Sequence, residues 1–308
     1  MKSKIALTLI LLLLVETASC KSINISVVQM YAHQQTFEQF KADISKYVIQ
    51  AKNMKSDVLV FPEDAMVNLI FNKPWNKKSL IDLSKFYDNY KNYISDLAKK
   101  NNIVIIGGTN TRIVDNKIYN TMLAGLPRSE VIEHDKIYLN PSEKKVGYLG
   151  EGNKVLILNY NGIKIAILVC YTSEFANVSL KLAEINPDLI IVPSCTDDIY
   201  GLSRIQTAAK MLSIQNFAYA VIVGMVSNKD INNLQNTDGV SQALFTSPQQ
   251  KGFTLDHLVR AKFNKEDMIS YSFDISKLHN AKNNASLFPN SNQITKKLKI
   301  KTYKAKIH

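Results

Sequence analysis

The chain has 308 residues, 46% apolar and 21% charged, which suffices for one large or two small domains and excludes a disordered chain. Its formal charge of +12 is concentrated at the C-terminus, where residues 276–308 hold eight lysines and no acid, so the body is only mildly basic. Three cysteines (Cys20, Cys170, Cys195) exclude a disulfide scaffold. Without CxxC, HExxH or GxxxxGK(S/T), the chain lacks the marks of structural zinc, zincin or P-loop chemistry.

Met1-Lys2-Ser3-Lys4 is basic, Ile5–Val15 is apolar, and Glu16–Cys20 supplies small residues. This is the pattern of a secretory signal peptide over 1–20, too short for a spanning helix. Small residues before Cys20 also resemble a bacterial lipoprotein processing site, although Thr17 stands where that pattern prefers an aliphatic residue. The expectation is therefore an exported protein, with simple secretion as the first reading and a lipid anchor on Cys20 as the second.

Ile23–Met30 alternates and is rich in β-branched residues, which predicts a strand. Phe40, Ile44, Val48 and Ala51 recur at helical spacing. Asp57–Phe61 reads as a buried strand running into Pro62-Glu63, Leu80–Lys100 as one helix, and Ile103–Gly108 as a third strand. Lys117–Ala124 and Val131–Tyr138 read as antiparallel neighbours. Lys154–Leu158 and Ile163–Val169 read as a hairpin closed by Asn161-Gly162. Helices at 180–185 and 204–217 alternate with strands at 188–193 and 219–225, and Val240–Phe245 and Met268–Phe273 complete the sheet material. This rhythm predicts one layered α/β domain over 21–275, followed by a basic extension over 276–308. A charge run of that kind is usually solvated, and its other reading is contact with an anionic membrane surface. No basic patch interleaved with aromatics occurs in the body, which argues against nucleic acid.

Three chemically suggestive residues sit near strand ends: Glu63, Lys136 and Cys170. Singly, each has a dull explanation as a surface charge or a small core residue. Jointly they suit attack on a carbon–nitrogen bond. A thiol needs a base, a half-dry carboxylate can serve as one, and an ammonium with a backbone N–H can hold the developing oxyanion. Cys170 ends a run of six apolar residues, at the carboxyl end of a strand where α/β ligands collect. A helix beginning nearby is expected to favour the thiolate. A Cys170–Cys195 bridge would silence that thiol.

Phe61-Pro62-Glu63, Lys136 with Pro141-Ser142-Glu143, and Cys170-Tyr171-x-x-Glu174-Phe175 together resemble the nitrilase superfamily of carbon–nitrogen hydrolases, over roughly residues 23–275. The resemblance implies a four-layer αββα sandwich, paired into a homodimer through its α faces and needing neither metal nor organic cofactor. It implies Glu63 as general base and acid, Lys136 as oxyanion stabiliser, Cys170 as nucleophile and Glu143 as the residue that orients them. The backbone N–H of Tyr171 would complete the oxyanion hole. Cys195, Asp197 and Arg204 fall where the family builds its substrate pocket, while Asp197 and Asp198 stand equally for a helix cap. The implied substrate is a small amide. Tyr171-Thr172 follows the cysteine where nitrilases of the family tend to have Trp-Glu. Thr172, Ala176 and Asn177 depart from the family's Asp, Pro and Glu, which puts the substrate class in doubt. Three alternatives follow from the same residues: acyl transfer to an amine, a non-catalytic binding protein, and a Cys–His protease using His134 or His257.

Overall fold

Strand β1 (Ser22–Tyr31) shows how the layers form. Ile23, Ile25 and Val27 point to one face and join a cluster with the second half of the chain, whereas Val28 and Met30 pack beneath helices on the other. The same alternation holds in β2 (Val58–Val60) and β3 (Val104–Val114). There Val58, Val60, Val104 and Ile106 face inward, while Leu59 and Ile105 face the helices. A strand period of two buries both faces only when each face is covered, which calls for layers on either side.

This computed structural model describes residues 21–227, 239–285, 287 and 289. The leader over 1–20, including Cys20, and most of the lysine-rich tail lie outside the described residues. In the first half, β5 (Ile132–Asp135), β4 (Lys117–Gly125), β3, β2 and β1 lie side by side, with β12 (Asp267–Asp274) antiparallel to β1. In the second half the order is β6 (Leu156–Tyr160), β7 (Ile163–Ile167), β8 (Leu189–Ser194), β9 (Tyr219–Val226), β10 (Leu244–Thr246) and β11 (His257–Arg260). The halves join only briefly, where Met30 and Tyr31 of β1 pair with Met225 and Val226 of β9. Their inward side chains, among them Val27, Val60, Ile106, Ile165, Ile191 and Val221, form one apolar cluster.

Helices α1 (Phe37–Asn53) and α3 (Tyr87–Asn101) cover the outer face of the first half through Phe40, Ile44, Tyr90 and Ile94. Helices α5 (Ala176–Ile185) and α6 (Ile199–Asn216) cover the second through Leu182, Ile205, Ala209 and Leu212. The result is the expected α–β–β–α order. Parallel neighbours β1–β2, β2–β3, β7–β8 and β8–β9 are linked by these helices, as parallel pairs require.

Several boundaries differ from the sequence reading, each for a local reason. The helix expected over 80–100 is two: α2 (Lys77–Ser84), started early by the Asn76–Ser79 capping box, ends at Lys85, and α3 starts anew after Phe86. Asp198 accepts from the N–H of Gly201, so α6 begins at Ile199 rather than Arg204. The Asn161-Gly162 turn is as expected, with both residues at positive φ and Tyr160 paired to Ile163. The lysine-rich stretch opens with a packed helix, α7 (Ile275–Asn283), whose Ile275 and Leu278 are fully buried. Its Lys282 is buried on Pro187 and Asn186, and burial pulls its ammonium down to about 8.

Candidate active site

Glu63, Lys136, Glu143 and Cys170 meet at one end of the sandwich. Glu63 follows β2 on a loop that turns sharply at Asp64, whose φ is +55°. Gly108, at φ +70°, makes the turn possible: a side chain there would place its Cβ 2.1 Å from the Pro62 carbonyl oxygen. Lys136 directly follows β5, and its N–H donates to the Asn120 carbonyl on β4. Glu143 sits in the first turn of α4 (Pro141–Val146), in a capping box where its N–H donates to Asn140 Oδ1 and Asn140 N–H donates to its Oε2, both at 2.8 Å.

Cys170 lies three residues past β7 at φ +46°, on the first residue of a 3-10 turn (Cys170–Glu174). A left-handed conformation in a non-glycine residue is strained and stands where structure over-determines it. Here it swings the side chain out of the strand direction toward Glu63 and Lys136. The Sγ lies 3.9 Å from the Cys195 carbonyl oxygen, and both Cys170 and Cys195 are free thiols, so no bridge joins them.

Lys136, 1% exposed, donates from Nζ to Glu63 Oε1 at 2.7 Å and to Glu143 Oε2 at 2.8 Å. Asn120 Nδ2 also bridges the two acids, donating to Glu63 Oε1 at 3.0 Å and Glu143 Oε1 at 2.8 Å. The other Glu63 oxygen accepts the Cys195 N–H at 2.9 Å. Burial pushes the Glu63 carboxyl above its usual value, opposed by Lys136 and reinforced by Glu143. Burial acts against the Lys136 ammonium, yet Glu143, Glu63 and the thiol hold it well above its ordinary value. The Cys170 thiol is pushed well up by burial and by Glu63, against Lys136. The thiolate is therefore not favoured by a helix end, contrary to the sequence expectation. Cys170 opens a five-residue 3-10 turn, and the α-helix behind it, α5, begins only at Ala176.

A cavity of about 480 Å³ opens onto Cys170 and Tyr171, and its wall includes Cys195, Asp197, Arg204 and Glu174. A recess of about 30 Å³ continues toward Glu63, Glu143, Asp64 and Trp75. All three predicted pocket residues thus reach the site, in different ways. Arg204 pairs with Glu174 at 3.2 Å. Asp197 has no ionic or hydrogen-bonding partner among the described residues, and desolvation by the pocket wall with Asp198 and Glu63 nearby pushes it up to about 6. Asp198 is committed to capping α6. Asn120, Asn140 and Trp75 were not singled out from the sequence. Asn120 had a readable signal: it is a polar residue in phase with Ile118, Met122 and Ala124 on an otherwise apolar strand face. The divergent Thr172 is buried and accepts the Tyr138 N–H, and Asn177 hydrogen-bonds the Tyr138 hydroxyl, so both steady the loop after Lys136. Among the described residues, no group of three or more His, Cys, Asp or Glu side chains is placed to hold a metal ion.

The family model for carbon-nitrogen hydrolases matches residues 24–282, nearly all of the described chain. The chain belongs to the carbon-nitrogen hydrolase family. Within it, a probable hydrolase, YhcX of Bacillus subtilis, is 29% identical over 227 residues, which cover 73% of this chain and 44% of that protein. An (R)-stereoselective amidase of a Pseudomonas species is 22% identical over 176 residues, 57% of this chain and 61% of the relative. The chain thus spans about half the length of the curated relatives it matches. In fold, this hydrolase-family chain is similar to the crystal structure of Nit3 from Saccharomyces cerevisiae, a member of branch 10 of the nitrilase superfamily. The TM-score is 0.71 at 18% identity, covering 86% of this chain and 95% of Nit3.

Proposed function

We propose that this carbon–nitrogen hydrolase is an exported amidase that cleaves a small, non-peptide amide through an acyl-thioester on Cys170. The observation that carries the reading is the burial of one ammonium, Lys136, between two carboxylates beside a thiol that opens onto a cavity. In this reading Glu63 takes the thiol proton as Sγ attacks the carbonyl carbon. Lys136 has three N–H donors, two of them held by Glu63 and Glu143, so the third can face the oxyanion with the Tyr171 N–H. The protonated Glu63 then gives its proton to nitrogen as the C–N bond breaks. Water enters, returns a proton to Glu63 and attacks the thioester carbon; the C–S bond breaks, Glu63 reprotonates the thiolate and the acid leaves. Glu143, held by its capping box, fixes the ammonium and does not exchange protons with substrate.

Amide rather than nitrile is supported by Tyr171-Thr172 after the nucleophile and by the amidase among the relatives. Export is supported by the basic, apolar and small-residue order of residues 1–20. The test is intact-mass spectrometry of the mature protein, acid-quenched after exposure to a panel of short amides. A mass increase that depends on substrate and is lost in Cys170→Ala is the expected result. A wild-type spectrum with no adduct, together with ordinary iodoacetamide reactivity at Cys170, would favour a binding protein. The same spectrum gives the mature N-terminus and any lipid on Cys20.

A further inference from the structure

Asn120 occupies an unusual position in the network. It is fully buried, its backbone carbonyl receives the Lys136 N–H, and its Nδ2 donates one hydrogen to each of the two carboxylates that Lys136 also holds. Its own Oδ1 is buried with no partner. The amide cannot be turned over to satisfy that oxygen, because Oδ1 would then face two carboxylate oxygens. A buried orphan carbonyl is unfavourable, and native structures keep one where the group does something else. What Asn120 does is supply two donors at a place where only donors are tolerated.

The consequence falls on Glu63. Its Oε1 accepts from both Lys136 Nζ and Asn120 Nδ2, so its two in-plane lone pairs are filled, while Oε2 accepts the Cys195 N–H and the Cys170 thiol lies within hydrogen-bonding reach of the carboxylate. We propose that Asn120 is a positioning residue that saturates Glu63 Oε1, confining the exchangeable proton to Oε2 and keeping Glu63 ionised while Cys170 is protonated. This rests on the reading of Glu63 as the base for Cys170. Lys136 alone cannot enforce it: a lysine head rotates freely about its last bond, whereas the planar amide fixes both carboxylates at once. Other groups facing Glu63 are Glu143 from α4, Asp64 and Asp197 from the adjoining loops, the Cys170 and Cys195 thiols, and Tyr148. Of these only Glu143 shares the amide with it.

The test needs no substrate. Alkylation of Cys170 by iodoacetamide, followed by mass spectrometry across pH 4–10, reads the thiol and its coupled carboxyl as separate steps. The lower step is assigned to Glu63 by its loss in Glu63→Gln. Hydrogen bonds to a carboxylate favour its charged form, so Asn120→Ala is expected to move the lower step up by ~1 pH unit. Asn120→Asp keeps the shape, so it guards against misfolding, and it swaps the donor for a third acid; its lower step is expected to move further up. A two-step wild-type profile that neither variant displaces overturns the role of Asn120 and leaves that of Glu63 standing. A single ordinary-thiol step in the wild type removes both.

Discussion

The backbone N–H of Cys195 donates to Glu63 Oε2 across 2.9 Å, joining residues 132 positions apart and the two halves of the sandwich. The carbonyl of the same residue lies 3.9 Å from Cys170 Sγ. Cys195 therefore touches both proposed proton partners through its peptide groups, while its thiol lines the pocket and packs against the outer core. The site is assembled where the inward faces of β2 and β8 end, so it exists only when both halves are packed.

Cys195→Ala is accordingly expected to leave acyl-enzyme formation within about threefold of wild type, the scale of a substitution that breaks no named interaction. Adduct formation followed by mass spectrometry measures it. A loss as large as that of Cys170→Ala would mean that the Cys195 side chain takes part.

Glu63→Gln keeps the shape of the side chain and removes the base. The rate of Cys170 acylation by the responsive amide should fall by about 10²–10⁴, the usual weight of general acid–base catalysis. Because burial disfavours the charged carboxyl, thermal stability at neutral pH should fall little or rise. Melting curves beside single-turnover rates separate the two effects.

Lys136→Met leaves Glu63 and Glu143 buried without their cation. Breaking such a pair by removing one partner costs about 3–5 kcal/mol at neutral pH. The sign of the pH dependence follows from the raised Glu63 carboxyl: a folded-state pKa above the unfolded one makes stability fall as pH rises. The variant's deficit in Tm should thus be larger at pH 7.5 than at pH 5, and an equal deficit at both would falsify this account.

Asp197 carries the same sign over a narrower window. Desolvation, with Asp198 and Glu63 nearby, pushes its carboxyl from 3.8 up to about 6, so its unfavourable contribution sets in as pH rises between those values. Asp197→Asn should raise Tm at pH 7.5 and leave it unchanged at pH 3.5. Calorimetry at the two pH values decides.

Gly108→Ala tests the support behind Glu63. The strained φ alone costs about 1–3 kcal/mol, and the new methyl meets the Pro62 carbonyl. Displacing Pro62 carries Glu63 with it, so acylation should drop although no side chain of the site has changed. Unaltered acylation in a stable variant would show that the loop yields without moving the acid.

The layered α/β order was legible because β1, β2 and β3 alternate cleanly and the helices between them are amphipathic. The three motifs were legible because each sits just past a strand, where the chain leaves the sheet, and Glu63 and Cys170 also end apolar runs. Less legible was whatever depends on contacts across the sequence. Asn120 gains its meaning from two acids 57 and 23 residues away. The break between α2 and α3 falls at Lys85 and Phe86, which carry no Gly, Pro or side-chain cap to mark it inside a continuous apolar period. The expected thiolate failed for a similar reason, since helix proximity can be read locally and desolvation cannot. The short strands β10 and β11 are set by pairing with β9 and with each other rather than by their own pattern.

Lys136 faces two carboxylates, so with Glu63 and Glu143 ionised and the thiol protonated the cluster carries one net negative charge. Moving the thiol proton to Glu63 changes which atoms hold that charge and leaves its total unchanged. The low-dielectric interior is never asked to admit or expel an ion during the attack; the electrostatic work is an internal redistribution over a few ångströms. Mobile salt screens exposed charges over about 8 Å at physiological ionic strength and has little hold on a transfer between groups as buried as Glu63 and Cys170. The acylation step should accordingly run at nearly the same rate in dilute buffer and in molar salt, making the site electrically self-contained.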